Sequence, residues 1–409
     1  MYIANESGVD VKYEGRYKAI LVCWVLGLGS LVAWNSMLTI GDYYYALFPH
    51  YHPSRVLTIV YQPFAVGCMA ILAYHEAKID TRTRNIFGYS LFFISTFLLI
   101  VVDLVSHGKG GVAPYVGICI LVAFFGIADA HVQGGMIGDL SFMLPEFIQS
   151  FMAGLAGSGV LTSVLRLVTK AAFDHTYHGL RKGTLLFLAI SAFFEFICIF
   201  LYAYVFPKLP IVKHFRKKAA LEGSKTVASD LAAVGVETQS DQPDEQKATY
   251  PREHRLRAWL VSDLCGNIVH LSWFLYENTG NHKLGTWYPL VLVAMYNALD
   301  FVGRYTPLVK RLNLESRKGL FISIITRFLF IPAFYFTAKY ADKGWMIMLI
   351  SLLGLTNGHL TVCVLTAAPK GYKGPEQNAL GNILVVFLLG GIFSGVSLGW
   401  LWIIGNDKF

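Results

Sequence analysis

Runs of about 20 apolar residues, separated by short clusters of charge, restrict the fold of this sequence more than any other feature. A helix of that length crosses the hydrocarbon core of a bilayer, where every backbone polar group must be paired within a helix or a closed barrel. Stretches such as Leu91–Leu104 and Ile383–Phe393 are apolar on both faces, whereas barrel strands alternate apolar and polar residues. The sequence therefore predicts an all-α, polytopic membrane protein.

The composition rules out a disordered chain and argues against an ordinary soluble globule. Hydrophobic residues make up 55% of the chain and charged residues only 15%, against about a quarter in soluble proteins. Residues 208–257 contain 17 of the 60 charged side chains, and the stretch from Glu222 to Glu245 has the polar composition of a disordered segment. We expect a largely disordered loop over residues 207–256.

Hydropathy and loop signals predict eleven helices, which that loop divides into six and five. We expect an N-terminal six-helix bundle over residues 1–206 and a C-terminal five-helix bundle over residues 257–409, packed around a central cavity. The predicted helices lie near residues 18–47, 54–77, 84–106, 113–142, 145–173, 183–206, 257–277, 285–309, 317–340, 343–367 and 377–405.

The distribution of Lys and Arg predicts the orientation in the membrane. With the N-terminus inside, cytoplasmic segments carry 22 of these residues and external segments carry 8. The sequence therefore predicts a cytoplasmic N-terminus, a cytoplasmic long loop and an extracellular C-terminus.

Ionisable groups inside the predicted helices mark candidate sites, because they are placed there against their transfer cost. In the eighth helix, Asp300 and Arg304 are spaced i, i+4 and share a face with Asn297, one turn earlier. A carboxylate, a guanidinium and an amide in one stripe suit a solute with several hydroxyl groups. The alternative is an internal ion pair that only orients the helix.

The fourth predicted helix has a second polar pair, Asp129 and Gln133, again spaced i, i+4. The Gln133 amide could hydrogen-bond the edge of a heterocycle through both its carbonyl and its amino group. The alternative is a polar contact between helices, since glycines follow Gln133 and permit close helix approach.

Three other helices contribute candidate cavity or gate residues. The first has Trp34 and Asn35, a stacking plane beside a polar group, followed by Met37; membership of an interfacial aromatic belt is the alternative for the tryptophan. Gly154 in the fifth helix is a candidate, although such glycines often serve only packing. Asn357 lies in the tenth helix between two glycines that suggest a flexible break.

Catalytic and nucleotide-hydrolysing motifs are absent from the sequence: there is no P-loop, HExxH or GxSxG pattern. We expect no enzymatic activity, no metal and no cofactor. The net charge of +8 is explained by basic cytoplasmic loops, so the bilayer, and no nucleic acid, is the expected partner.

Several stretches resemble the equilibrative nucleoside transporter family, in the family's order and most closely its plant members. They are Gly27–Thr39, Gly134–Thr169 around GDLSFMLPEFIQSFMAGLAGSG, Tyr296–Pro307, RFLFIPAF from Arg327, and Gly354–Gly391.

The resemblance implies a major-facilitator-like arrangement and transport of nucleosides, such as adenosine and uridine, by alternating access. It places Trp34 in the substrate cavity, Met37 near the outer gate, and Gln133 on the base. It associates Asp300 and Arg304 with the ribose, and Asn297 with the cavity wall. Many plant members are thought to couple transport to protons, for which Asp300 is the candidate acceptor.

One segment departs from that pattern. Residues 250–273 lack the Phe-Pro step and the hydrophobicity of helix seven in plant relatives, although the sequence after them is similar. We expect an altered helix seven and outer gate. The leading hypothesis is a secondary carrier for purine and pyrimidine nucleosides in the plasma membrane; a carrier for another polar metabolite and a non-transporting multi-helix receptor are the alternatives.

Overall fold

The structure is a computed structural model, which describes residues 3–4, 10–11, 15–173, 177–233, 287–340, 343–372 and 375–404. The predicted seventh helix, residues 257–277, and the divergent segment 250–273 lie outside these ranges. Ile3–Ala4 (β1) pairs antiparallel with Asp10–Val11 (β2), Ile3 opposite Val11.

Helices make up the rest of the fold. They are α1 (Arg16–Thr39), α2 (Gly41–Leu47), α3 (Pro53–Tyr74), α4 (Thr81–Val105), α5 (Val112–Ser141), α6 (Pro145–Phe173), α7 (Tyr177–Phe200), α8 (Pro210–Ala233), α9 (Tyr288–Tyr305), α10 (Arg317–Thr326), α11 (Phe330–Tyr340), α12 (Lys343–Ala367) and α13 (Pro375–Ile404). Short 3-10 and π-helical turns connect several of them.

The predicted all-α membrane architecture is confirmed. Within the described ranges, nine helical segments are long and apolar enough to cross a bilayer. The count of eleven stays a prediction. The first predicted helix is too long for one span, and the structure divides it between α1 and α2, at Ile40.

Residues 210–233 differ from the expectation of a largely disordered loop, because they form α8. The first turns of α8 are held by buried Ile211, Val212 and Phe215. Arg216 forms an ion pair with Asp139 at the end of α5, at 2.5 Å. These contacts anchor a segment whose average composition is polar.

Glycines bring two helix pairs into backbone contact. A Cβ atom at Gly154 of α6 would overlap the carbonyl oxygen of Trp24 in α1. A Cβ atom at Gly358 of α12 would likewise overlap the carbonyl oxygen of Asp300 in α9. The predicted flexible break around Gly354 and Gly358 is therefore wrong: α12 is continuous there, and its glycines serve close packing.

Helices from the N-terminal and C-terminal halves of the chain contact each other in two places, here called seams. At the first seam α6 packs against α9, and at the second α13 packs against α3 and α5. Arg84 of α4, at the start of the third predicted helix, is buried at the second seam and donates to Asn382 Oδ1 at 2.6 Å. Asn378 donates to Glu76 beside it.

Candidate functional site

An aromatic pair marks the first part of the candidate site. Trp34 of α1 stacks on Tyr61 of α3, with ring centroids 4.0 Å apart and planes inclined by 13°. Both side chains are buried, so Trp34 is part of the helix bundle interior, not of an interfacial belt. Two flat rings in this position can bind a third planar group by stacking.

The polar pair of α5 lies beside these rings. The Tyr61 phenol lies next to the fully buried Asp129 carboxylate, and Gln133 Nε2 donates to Asp129 Oδ1 at 2.6 Å. The predicted pairing of Asp129 with Gln133 is therefore present. Gln133 contributes its Nε2 to this bond, and its Oε1 is a candidate acceptor for a ligand N–H group.

Met37 lies at a small pocket on the same side of α1. The pocket has a volume of about 20 Å³, enough for one water molecule and far too small for a nucleoside. Tyr44 donates to Met37 Sδ at 3.4 Å across it. A nucleoside could enter here only if these side chains moved. The pocket is lined by Trp34, Met37, Leu38, Gly41, Tyr44 and Leu57.

A network of charged groups forms the second part of the site. Arg304 Nε donates to Asp300 Oδ2 at 3.0 Å, so the predicted pair is present. Asn357 of α12 donates to the other oxygen, Asp300 Oδ1, at 2.9 Å and accepts from Arg327 Nη2 at 3.1 Å. Arg304 also donates to the backbone oxygen of Met152 in α6. The structure therefore brings Asp300, Arg304 and Asn357 together and adds Arg327.

Asn297 does not continue this network, although the helical spacing suggested one stripe. Its amide nitrogen donates to Ser163 Oγ at 2.9 Å and to the Gly159 oxygen at 3.1 Å, both in α6. Asn35 of α1 donates to Ser158 Oγ of the same helix at 2.7 Å. Helix α6 thus receives polar contacts from both α1 and α9.

Gly154, a candidate gate residue, lies where the backbones of α1 and α6 are in contact. Its location explains the absence of a side chain by packing, and the described contacts assign it no place on the pocket wall.

Sequence reasoning missed Tyr61 and the place of Arg327 in the site. Arg327 lies in a 3-10 turn between α10 and α11, and its isolated charge in an apolar segment was the available signal. Tyr61 gave no local signal, because only the packing of α3 against α1 and α5 makes it a partner of Trp34 and Asp129.

Comparison with known proteins shows the family to which this chain belongs. A family described as nucleoside transporter matches residues 119–404. The chain is 65% identical to equilibrative nucleotide transporter 3 and 61% identical to equilibrative nucleotide transporter 6, both of Arabidopsis thaliana, over 98% of this chain and 98% of each relative.

Two solved structures share the fold. A proton:xylose symporter of the major facilitator superfamily superposes with a TM-score of 0.62 at 11% identity, over 96% of this chain and 89% of its own. A bacterial homologue of the iron transporter ferroportin superposes with a TM-score of 0.56 at 15% identity, over 94% and 91%. At such identities the likeness shows the major-facilitator-like fold alone. The family match and the plant relatives together show that this multi-pass membrane protein belongs to the nucleoside transporter family, whose members are transporters and not enzymes.

Proposed function

We propose that the protein is a secondary carrier that moves purine and pyrimidine nucleosides across the plasma membrane by alternating access. One observation carries the proposal. In a chain of this family, the N-terminal half offers a stacked aromatic pair beside an amide, and the C-terminal half offers a carboxylate beside a guanidinium group.

The aromatic part suits a base. Trp34 and Tyr61 offer π faces, which bind any purine or pyrimidine ring. Gln133 Oε1 can accept from a base N–H group, while its Nε2 is held by Asp129 and fixes the orientation of the amide. The stacking groups therefore supply general affinity, and Gln133 supplies polar selection.

The charged part suits a ribose. Asp300 can accept from two neighbouring hydroxyl groups, and Arg304 can donate to a hydroxyl or ring oxygen. In the present conformation these groups satisfy one another and Asn357, so binding requires the sugar hydroxyls to replace part of that network. Asn297 and Asn35, which contact α6, line the path beside it in this proposal. Met37 serves the closing of the outer end, and Gly154 keeps α1 and α6 in contact as the bundle moves.

Alternating access is supported by the nature of the two seams. Their polar contacts, such as Asn297 with Ser163 and Arg84 with Asn382, are side-chain hydrogen bonds that water can replace when the seam opens. The N-terminal six-helix bundle and the C-terminal five-helix bundle would rock about the central site, with the N-terminus cytoplasmic and the C-terminus extracellular.

The decisive experiment measures uptake of radiolabelled adenosine and uridine into sealed proteoliposomes. We expect saturable uptake that excess unlabelled nucleoside abolishes and xylose leaves unchanged. Gln133→Ala and Asp300→Asn should each raise the half-saturating concentration. Glu315→Gln is the control, because it removes a carboxylate from an exposed surface ion pair with Lys370.

The alternatives predict different results. Saturable binding without flux would favour a receptor, and uptake inhibited by a different polar metabolite but not by nucleosides would favour another carrier. Normal uptake by Asp300→Asn would refute its ribose role and, if pH dependence is also unchanged, its role as proton acceptor. Antibody access to tags at each terminus on intact plant cells tests both the membrane and the orientation.

A further inference from the structure

A further buried carboxylate, Glu195, lies in α7, apart from Asp129 and Asp300 of the candidate site. Glu195 is near the middle of the apolar segment Gly179–Lys208 and is fully buried. Neither of its carboxylate oxygens makes a hydrogen bond to any residue that the structure describes. An ionised carboxylate in such a place has lost its water without gaining a partner, which is among the costliest arrangements in a protein.

Among the residues that the structure describes, no cation beside Glu195 offsets this cost. Thr96 of α4 lies beside the carboxyl group, and its hydroxyl, like that of neighbouring Ser95, is buried and lacks a hydrogen-bond partner among the described residues. A titratable neighbour of Glu195 is the thiol of Cys198, on the same helix. No charged side chain of α1, α4 or α6 acts on Glu195 within the described structure.

We propose that Glu195 is a proton-binding site within the helix bundle, and that it holds its proton in this conformation. A neutral carboxylic acid can donate its O–H to the Thr96 hydroxyl, which removes the charge and pairs two of the unpartnered groups. The reaction adds one proton from water to a carboxylate oxygen, so the side-chain charge changes from −1 to 0. Release of that proton would favour a state in which water reaches the α4–α7 contact.

The site is connected to the helix that carries Trp34. One turn before Glu195, Ser191 Oγ lies 2.9 Å from Ser36 Oγ of α1. Nearly one turn after Glu195, Cys198 donates to the Val25 oxygen at 3.3 Å, and a Cβ atom at Gly29 of α1 would overlap the Cys198 sulfur. Because α7 has so little freedom against α1, loosening α7 upon deprotonation displaces α1 as well. This coupling to substrate rests on the proposed transport function; the proton site itself does not.

Infrared spectroscopy tests the proton site without any transport assay. Purified wild type at neutral pH should show the carbonyl band of a protonated carboxylic acid that shifts with 13C-labelled glutamate. Glu195→Gln should lose that component, and Glu315→Gln should keep it, because Lys370 holds the pKa of the Glu315 carboxyl below its ordinary value. Identical carbonyl bands in wild type and Glu195→Gln would overturn the proposal.

Uptake at different pH tests the coupling. Adenosine uptake by wild type should differ between acidic and alkaline external buffer, and Glu195→Gln, a neutral residue of the same shape, should transport with that difference lost. Glu315→Gln should respond as wild type does. An unchanged pH response in Glu195→Gln would overturn the coupling and leave a purely structural acid. If wild type itself shows no uptake, the transport proposal fails, and the infrared result still decides the proton site.

Discussion

Removal of the Asp300 charge should destabilise the protein by about 3 kcal/mol. The Asp300 and Arg304 side chains are 7% and 11% exposed, so the pair is almost buried. Removing one partner of a buried pair costs about 3–5 kcal/mol, because the other charge is left without compensation. The lower end applies to Asp300→Asn, since Arg304 keeps its bond to the Met152 oxygen and asparagine can still accept from Asn357.

The assay is thermal denaturation of the purified transporter in detergent, followed by fluorescence-detected size exclusion. Glu315→Gln removes one carboxylate from an ion pair of 2.7 Å whose side chains are 50% and 63% exposed. Surface pairs of this kind contribute about 0–1 kcal/mol. The apparent melting temperature should therefore fall clearly for Asp300→Asn and hardly at all for Glu315→Gln. The double variant Asp300→Asn with Arg304→Gln should lose less than the sum of the single changes.

Adding adenosine separates a ribose contact from a structural role. At 100 times its dissociation constant, a ligand stabilises the folded state by about 2.7 kcal/mol. If Asp300 holds the ribose, the rise in melting temperature on adding adenosine should be smaller in Asp300→Asn than in wild type. At the same adenosine concentration, Glu315→Gln should show the full rise. A melting temperature equal to that of wild type would refute the buried pair. If Asp300→Asn is destabilised but adenosine raises its melting temperature as much as that of wild type, the ribose contact is refuted instead.

Three further predictions concern other parts of the fold. Tyr61→Ala should weaken adenosine binding more than Tyr61→Phe, because only the former removes the ring that stacks in the site; equal losses would assign the effect to the hydroxyl. Gly358→Ala should cost about 1–3 kcal/mol of stability by separating two helices, whereas Gly117→Ala, with open space at its Cβ, should be neutral or stabilising in the same melt. Asp80→Ala should cost about 1 kcal/mol at neutral pH by removing the cap of α4, where the Thr83 backbone N–H holds the pKa of the carboxyl below its ordinary value. Because that pKa is lowered, the difference from wild type should vanish as the pH falls through it; a constant difference would contradict the cap.

Local features of the site were predictable from the sequence. Apolar runs give helices because the bilayer leaves the backbone few other choices. Most described helix bounds lie close to the expected ones, whereas α7 begins at Tyr177, well before the predicted start at residue 183. The pairs Asp129 with Gln133 and Asp300 with Arg304 were predictable as well, since residues four apart share a helix face.

Features that depend on how helices meet were not predictable. Asn297 shares a face with Asp300 by spacing, yet it contacts α6, because a neighbouring helix approaches that side. Gly354 and Gly358 suggested a break, and only the proximity of α9 shows that they permit contact. Glu195 satisfied the criterion of a charge within an apolar run, but no charged or amide side chain lies three or four residues from it in the sequence.

The contrast between the two kinds of helix contact bears on where the protein moves. Helices α1 and α6 touch through Gly154, where any separation or rotation would open a void between two backbones. Helices α9 and α12 touch in the same way through Gly358. Between these two pairs, α6 and α9 are joined by side-chain bonds such as that of Asn297, which water or a sugar hydroxyl can replace at little cost. A rocking motion should therefore preserve both glycine contacts and exchange the polar ones, which places the moving boundary between the groups proposed to hold the base and the ribose.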